Sequence, residues 1–187
     1  MKGIFFTELV GFLEQQIGII KADQVLLLAE LPNEGAFTSV GNYPAGYALK
    51  IVEAASTMTG IPFDRLCQDY GSHLYTRLAI LFPTIVAHYR SAEDMLAHVA
   101  SHIHEEVIIL YPDARTPSIT TTVEAGQLHV RYESHRPLAH LAYGLIRQCL
   151  SAFGDPREVR WVGGGTLHDA RFVLALPATL AVVEMPA

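Results

Sequence analysis

Tyr132, Ser134 and Arg136 stand two residues apart in the segment YESHRPLAHLAYG. In a strand such positions share a face, so a phenol, a hydroxyl and a guanidinium converge on one side. The guanidinium is a planar fork matched to carboxylate or phosphate, and the other two groups add single donors. Together the three form a receptor for an anion. The plain alternative is an exposed strand face with an incidental ion pair.

A second chemical candidate is the run HVASHIHEEV, with His98, His102 and His104 on one expected helix. With Met95 at zero and about 100° per residue, Leu96, Val99, Ala100, Ile103, Val107 and Leu110 fall in one arc between about 40° and 140°. His98, Ser101, His102 and Glu105 fall between about 240° and 340°, on the side expected to face water. His104 lies near 180°, on the shoulder of the apolar arc beside Ala97, Ala100 and Ile108, and is the histidine expected to point inward. A boundary imidazole can be satisfied by a backbone carbonyl. It can also stay neutral and ligate a metal in an apolar pocket. A zinc site on His98 and His102, with Glu105 or Glu106 as base, is a further alternative that lacks an evident third ligand.

Other motifs offer less. Gly163-Gly164-Gly165-Thr166 has no following Lys and reads as a turn, and no Gly-x-Ser-x-Gly elbow is present. Cys67 and Cys149 are the two cysteines, too few for a disulfide framework or a cysteine-rich zinc site and in keeping with reduced thiols.

The elements that must carry these residues follow from periodicity. Helices are expected from Gly3 to about Ile17, from Ala22 to Leu31, from Ala48 to Thr59, from Pro62 to about Leu81, and from Ser91 to about Leu110. The stretch LPNEGAFTSVGNYPAG reads as a loop with a short strand at Phe37 to Val40. Ser118 to Val123 and Leu128 to Ser134 are expected strands around a Glu-Ala-Gly-Gln hairpin turn. Pro137 to about Phe153 is then a helix, and Arg157 to Val162 and Ala170 to Leu176 are two more strands. The class is α+β, a helical part (1–111) packed on a strand-rich part (118–187), with 1–187 as a single domain.

Composition narrows the partner. The 187 residues are 50% hydrophobic and 17% charged, with a formal net charge of −6 and no basic cluster, which argues against nucleic acid or anionic lipid. No apolar stretch is long enough to span a bilayer and no signal peptide is evident, so a cytoplasmic protein is expected.

At these residues the sequence resembles the heme-nitric oxide/oxygen binding (H-NOX) domains, related to the heme domain of soluble guanylate cyclase. The resemblance runs from MKGIFF through the helix after Pro137, including GIPFDRL, the His of HIHEEV, the following YPDARTPS, and Tyr-x-Ser-x-Arg. It implies heme b (iron protoporphyrin IX) between the helical part and the sheet, His104 as proximal iron ligand, and Tyr132, Ser134 and Arg136 on the propionates. It further implies Pro117 pressing on the porphyrin, with Phe5, Leu78, Leu141 and Leu145 in the distal pocket. Family members that hold oxygen carry a Tyr nine residues after the first Tyr of the motif, where this chain has Leu141. Tyr143 is rotated by about 200° from that position. With that donor missing, binding of NO and CO without a stable oxygen complex is expected. In the family, NO binding can release the proximal histidine, and stand-alone members signal to a separate protein such as a histidine kinase or a cyclic-di-GMP enzyme. The expected function is therefore a heme-based NO sensor and not an enzyme. The alternatives are a peroxidase-like heme enzyme, a zinc hydrolase, or an interaction module without heme.

Overall fold

The computed structural model describes residues 1–177, and the last ten residues of the expected strand-rich part lie outside the described residues. The N-terminal half is helical: α1 (Ile4–Ile17), α2 (Ile19–Leu28), α3 (Ala45–Thr59), α4 (Phe63–Leu81) and the single turn α5 (Pro83–Ala87). α6 (Ala92–His98), a π-turn (Val99–Ile103) and α7 (His104–Leu110) follow as one interrupted run. The remainder is β1 (Ser118–Glu124), β2 (Gln127–Glu133), α8 (Ala139–Ala152), β3 (Glu158–Val162) and β4 (Asp169–Ala175). All three strand pairings are antiparallel, in the order β1-β2-β4-β3. The α+β class expected from the sequence is the class observed.

Several boundaries differ from expectation for local physical reasons. α2 begins at Ile19, three residues early, because Gly18 (φ 83°) both ends α1 and starts α2. Phe37–Val40 is irregular; Phe37 stacks instead on Phe6 with ring centroids 4.7 Å apart, and the extended pairing nearby is Lys2 with Asn42. Pro83, expected only to end α4, also opens α5, where its missing N–H is harmless. The hairpin is as expected: Ala125 (φ 49°) and Gly126 (φ 76°) supply the two left-handed residues of a tight β1–β2 turn.

Two hydrophobic clusters form the core. One joins α1 to α4 through Phe6, Leu9, Val25, Ile51 and Leu74, and takes in Leu141 of α8. The other packs Leu128, Val130, Tyr132, Phe172 and Leu174 of the sheet on Ile146 and Leu150 of α8 and on Met95 and Leu96 of α6. α4 and α8 connect them by crossing at two glycines. A Cβ on Gly144 would lie 1.9 Å from the Gln68 carbonyl oxygen, and one on Gly71 would lie 2.3 Å from that of Leu141. Ser72 Oγ donates to the Gly144 carbonyl (3.0 Å), and Arg147 pairs with Asp69 (2.9 Å) across the same crossing.

Candidate functional site

The strand β2 buries Leu128, Val130 and Tyr132 on the face that meets α8, while Arg131 and Glu133 alternate to the other side. Tyr132 is thereby fixed in the core with its hydroxyl at the end of the sheet, where it donates to the Arg136 carbonyl (3.1 Å). Ser134 and Arg136 lie beyond the strand, so a bend rather than strand alternation brings them together. Ser134 Oγ accepts from the Arg136 amide (3.1 Å), closing that bend. The expectation of a shared strand face is corrected accordingly: Tyr132 and Ser134 bond the Arg136 main chain, and its guanidinium turns to the Arg115 carbonyl.

Arg136 reaches across to the loop after α7, where Nη1 donates to the Arg115 carbonyl (3.0 Å). Burial and the nearby Arg115 both push its guanidinium below its ordinary value, with only Tyr132 acting in the other direction. His135 is likewise held down by burial, Arg136, Arg115 and His168. Cations are thus gathered here without a carboxylate partner for Arg136 among the described ion pairs. Such an arrangement favours an incoming anion.

The same loop serves His104. Lys2 ties it to the N-terminal segment through Asp113 (2.8 Å) and lies over the Tyr111 ring at 4.6 Å. His104 opens α7, and its Nδ1 is fully buried without a hydrogen-bond partner. Burial lowers the His104 pKa, so the imidazole is neutral at pH 7, while the neighbouring Pro117 carbonyl acts weakly the other way. A neutral imidazole has one unprotonated nitrogen whose lone pair can ligate a metal. His104, Pro117, Arg115 and Arg136 form one connected neighbourhood through these contacts.

The π-turn Val99–Ile103 ends just before His104, and one inserted residue turns the following positions by about 100°, so the ideal-helix angle of about 180° does not hold for His104, which is half-buried. Ile109 is left 77% exposed by the same run. The expectation that both other histidines face water holds for His98 alone. His102 is half-buried, its Nδ1 2.6 Å from the Tyr89 hydroxyl and its Nε2 3.3 Å from Glu106. Among the described residues no group of three His, Cys, Asp or Glu side chains is placed to hold a metal, so the zinc alternative has no third ligand there.

A small apolar cavity of about 20 Å³ lies among α1, α3, α4 and α8, lined in part by Phe5, Leu9, Val52, Cys67, Tyr70 and Leu141. That volume admits one molecule the size of water or a diatomic gas. Phe5 and Leu141 were expected at such a pocket. Leu78 and Leu145 pack against the same core cluster but do not line the cavity. The residues that sequence spacing misses are Leu9, one helical turn beyond Phe5, and Cys67 and Tyr70 of α4. Tyr70 places a phenol in the wall, but its hydroxyl donates to the Phe5 carbonyl, and burial raises its pKa. Burial also pushes the Cys67 and Cys149 thiols up to about 12 and about 11, so both are protonated and poor nucleophiles at neutral pH.

Heme requires an imidazole with a free nitrogen, cations for its carboxylates and apolar walls. His104, the Arg136 bend and the cavity walls fit that group. Among the described residues no helix is long and apolar enough to cross a membrane.

Comparison with known proteins agrees with this geometry. The sequence matches the Haem-NO-binding family over residues 2–160. Among solved structures, the unliganded Fe(II) H-NOX protein of K. algicida is 28% identical, with a TM-score of 0.84 over 94% of this chain and 96% of that one. The H-NOX of Shewanella woodyi, solved in the Fe(II)CO state, is 29% identical with a TM-score of 0.80 over 95% of each chain. An S. oneidensis H-NOX protein in the Fe(II)NO state, at 21% identity, shares the fold with a TM-score of 0.84 over 95% of this chain and 99% of that one. None of the curated proteins matches the sequence. A match over residues 2–160 leaves little of the chain outside, and the chain belongs to the Haem-NO-binding family, whose members are heme-based gas-sensing domains and not enzymes.

Proposed function

We propose that the chain is a single-domain, cytoplasmic sensor that binds NO and CO at heme b and signals to a separate protein. In this reading His104 ligates the iron, Tyr132, Ser134 and Arg136 hold the propionates, and Pro117 shapes the His104 side of the porphyrin. Phe5 and Leu141 line the gas pocket, with Leu78 and Leu145 packed behind it. The observation that carries the reading is the half-buried His104, whose Nδ1 is enclosed without a hydrogen-bond partner, beside the Pro117 backbone and a cationic bend. The Fe(II)NO and Fe(II)CO states of the two Shewanella proteins support a diatomic gas as ligand.

When bound, heme supplies a ferrous iron able to take a diatomic gas. The protein's part is to orient, to exclude water and to withhold or offer hydrogen bonds. Leu141 and Phe5 keep the cavity apolar, and the one phenol in its wall spends its proton on the Phe5 carbonyl. Oxygen gains from a donor beside its outer atom, whereas NO and CO need one far less. Cys67 adds only a weak S–H donor, so the pocket selects against oxygen by the absence of a strong free donor. Arg136, a cation without a carboxylate partner among the described ion pairs, gives the propionates their counter-charge. The π-turn lets the His104 segment shift relative to the sheet, and a separate chain such as a histidine kinase or a cyclic-di-GMP enzyme would read that shift.

Hemin titration tests the ligand assignment. Wild-type protein should take up one equivalent of hemin and, once reduced with dithionite, give a five-coordinate ferrous spectrum. His104→Gly should lose affinity by at least about tenfold, with free imidazole restoring the spectrum. A His104→Gly spectrum identical to wild type without imidazole would overturn the reading.

A further inference from the structure

His104 stands at the end of an irregular stretch of backbone, and the side chain that ties that stretch to the core comes from before α6. In the π-turn Val99–Ile103 the His104 amide donates to the Val99 carbonyl, five residues back. Return to α-helical bonding would turn the chain after it by about 100°. The turn's own sequence gives little preference for a regular helix, since Val99 and Ile103 are β-branched. A contact from outside the turn must hold the register.

Tyr89 makes such a contact. It is 6% exposed, and its ring belongs to the core cluster on the sheet side. Its hydroxyl lies 2.6 Å from His102 Nδ1, at the far end of the π-turn. Two residues on, Ser91 Oγ accepts from the Asp94 amide (3.1 Å) and fixes the start of α6. One short loop therefore grips the run at both ends. Because the Tyr89 ring is packed in the core, its hydroxyl cannot follow His102 through a large rotation. The remaining neighbours of His102 are farther away: Glu106 at 3.3 Å from Nε2, on α7 beyond the turn, and the His88 ring at 4.9 Å.

We propose that Tyr89 is a positioning residue for His104: its hydroxyl, bonded to His102, holds Val99–Ile103 in the π register and so sets the direction of the His104 imidazole. The inference rests on the reading of His104 as iron ligand, and it adds the group that aims that ligand. A gas-driven movement of the His104 segment would have to work against this bond.

Tyr89→Phe keeps the ring and removes the hydroxyl. Amide hydrogen exchange, resolved by residue in the cofactor-free and heme-loaded protein, should become about fivefold faster from Val99 to His104 and stay unchanged in β4, as expected for loss of one ordinary hydrogen bond. The iron–histidine stretching band of the reduced, loaded protein should shift or broaden. His102→Gln, which can still bond the Tyr89 hydroxyl, should resemble wild type more closely than His102→Leu does. Unchanged exchange at the π-turn, or equal acceleration throughout the sheet, would overturn the proposal. If the wild-type protein lacks an iron–histidine band, the ligand reading fails, while exchange in the cofactor-free protein still decides the role of Tyr89.

Discussion

Two helical walls meet at this site, and they are built in opposite ways. The α4–α8 wall is regular and close: backbone touches backbone at Gly71 and Gly144, and Ser72 and Arg147 bind across the crossing. The α6–α7 wall is interrupted by a π-turn and held through side chains such as Tyr89, with Ile108 and Ile109 left at the surface. The first presents Tyr70 and Leu141 to the gas-sized cavity, the second carries His104. A rigid wall suits selection by size and polarity, and a compliant wall suits a ligand whose movement is the signal.

The largest effect should come from breaking the rigid wall. In Gly144→Ala the new methyl group would fall 1.9 Å from the Gln68 carbonyl oxygen, so the two helices must separate. A loss of about 3 kcal/mol is expected in urea unfolding, at the upper end for overpacked cores. A stability within experimental error of wild type would mean that the crossing is loose.

Arg136→Met addresses the cationic rim between the walls. Loss of a charge-assisted contact should weaken heme binding by about 2 kcal/mol, roughly thirtyfold, in hemin titration. The cofactor-free protein should unfold at an unchanged denaturant midpoint, because Arg136 sits among cations and gives up a single bond to the Arg115 carbonyl. A matching fall in cofactor-free stability would make Arg136 a fold residue.

Both walls were only partly legible in the sequence. The strands expected at Ser118 to Val123 and Leu128 to Ser134, with the Glu-Ala-Gly-Gln turn between them, set the hairpin, because these signals are local. The ideal-helix angle singled out His104, but a π-turn precedes that residue and changes the angle. No sequence rule announces a π-turn, since the inserted residue is accommodated by tertiary contacts such as Tyr89–His102. Cys67 and Tyr70 escaped notice because the cavity is assembled from four helices far apart in the chain. Phe5, Leu78, Leu141 and Leu145 all came from extending the family resemblance without gaps; Phe5 and Leu141 line the cavity, and Leu78 and Leu145 pack on the core cluster beside it.

Tyr70→Phe sharpens the contrast further. Removal of the bond to the Phe5 carbonyl should cost about 1 kcal/mol of stability, with the C–O stretching frequency of the CO-loaded protein unchanged. A shifted frequency would make Tyr70 a donor to the gas.

The smallest effect concerns pH. His73 on α4 has a buried Nε2 without a hydrogen-bond partner, 3.8 Å from Glu8 of α1. Burial lowers its pKa below the usual 6.5, outweighing Glu8. Below that value the unfolded chain binds the proton more readily than the folded one, so stability present at neutral pH declines as pH falls toward the lowered folded value. His73→Gln should therefore reduce the fall in Tm between pH 7 and pH 5. An identical pH dependence in both proteins would show that Glu8 has neutralised the effect.

The central claim is that His104 holds a heme whose gas pocket lacks a strong free donor. Visible absorption of the dithionite-reduced protein, recorded under argon, then with NO, with CO and in air, tests it most directly. The account predicts a Soret band of five-coordinate histidine-ligated heme that moves with NO and with CO and yields no stable oxygenated spectrum in air. A lasting oxygenated spectrum, or a protein that takes up no heme when hemin is supplied, would contradict it.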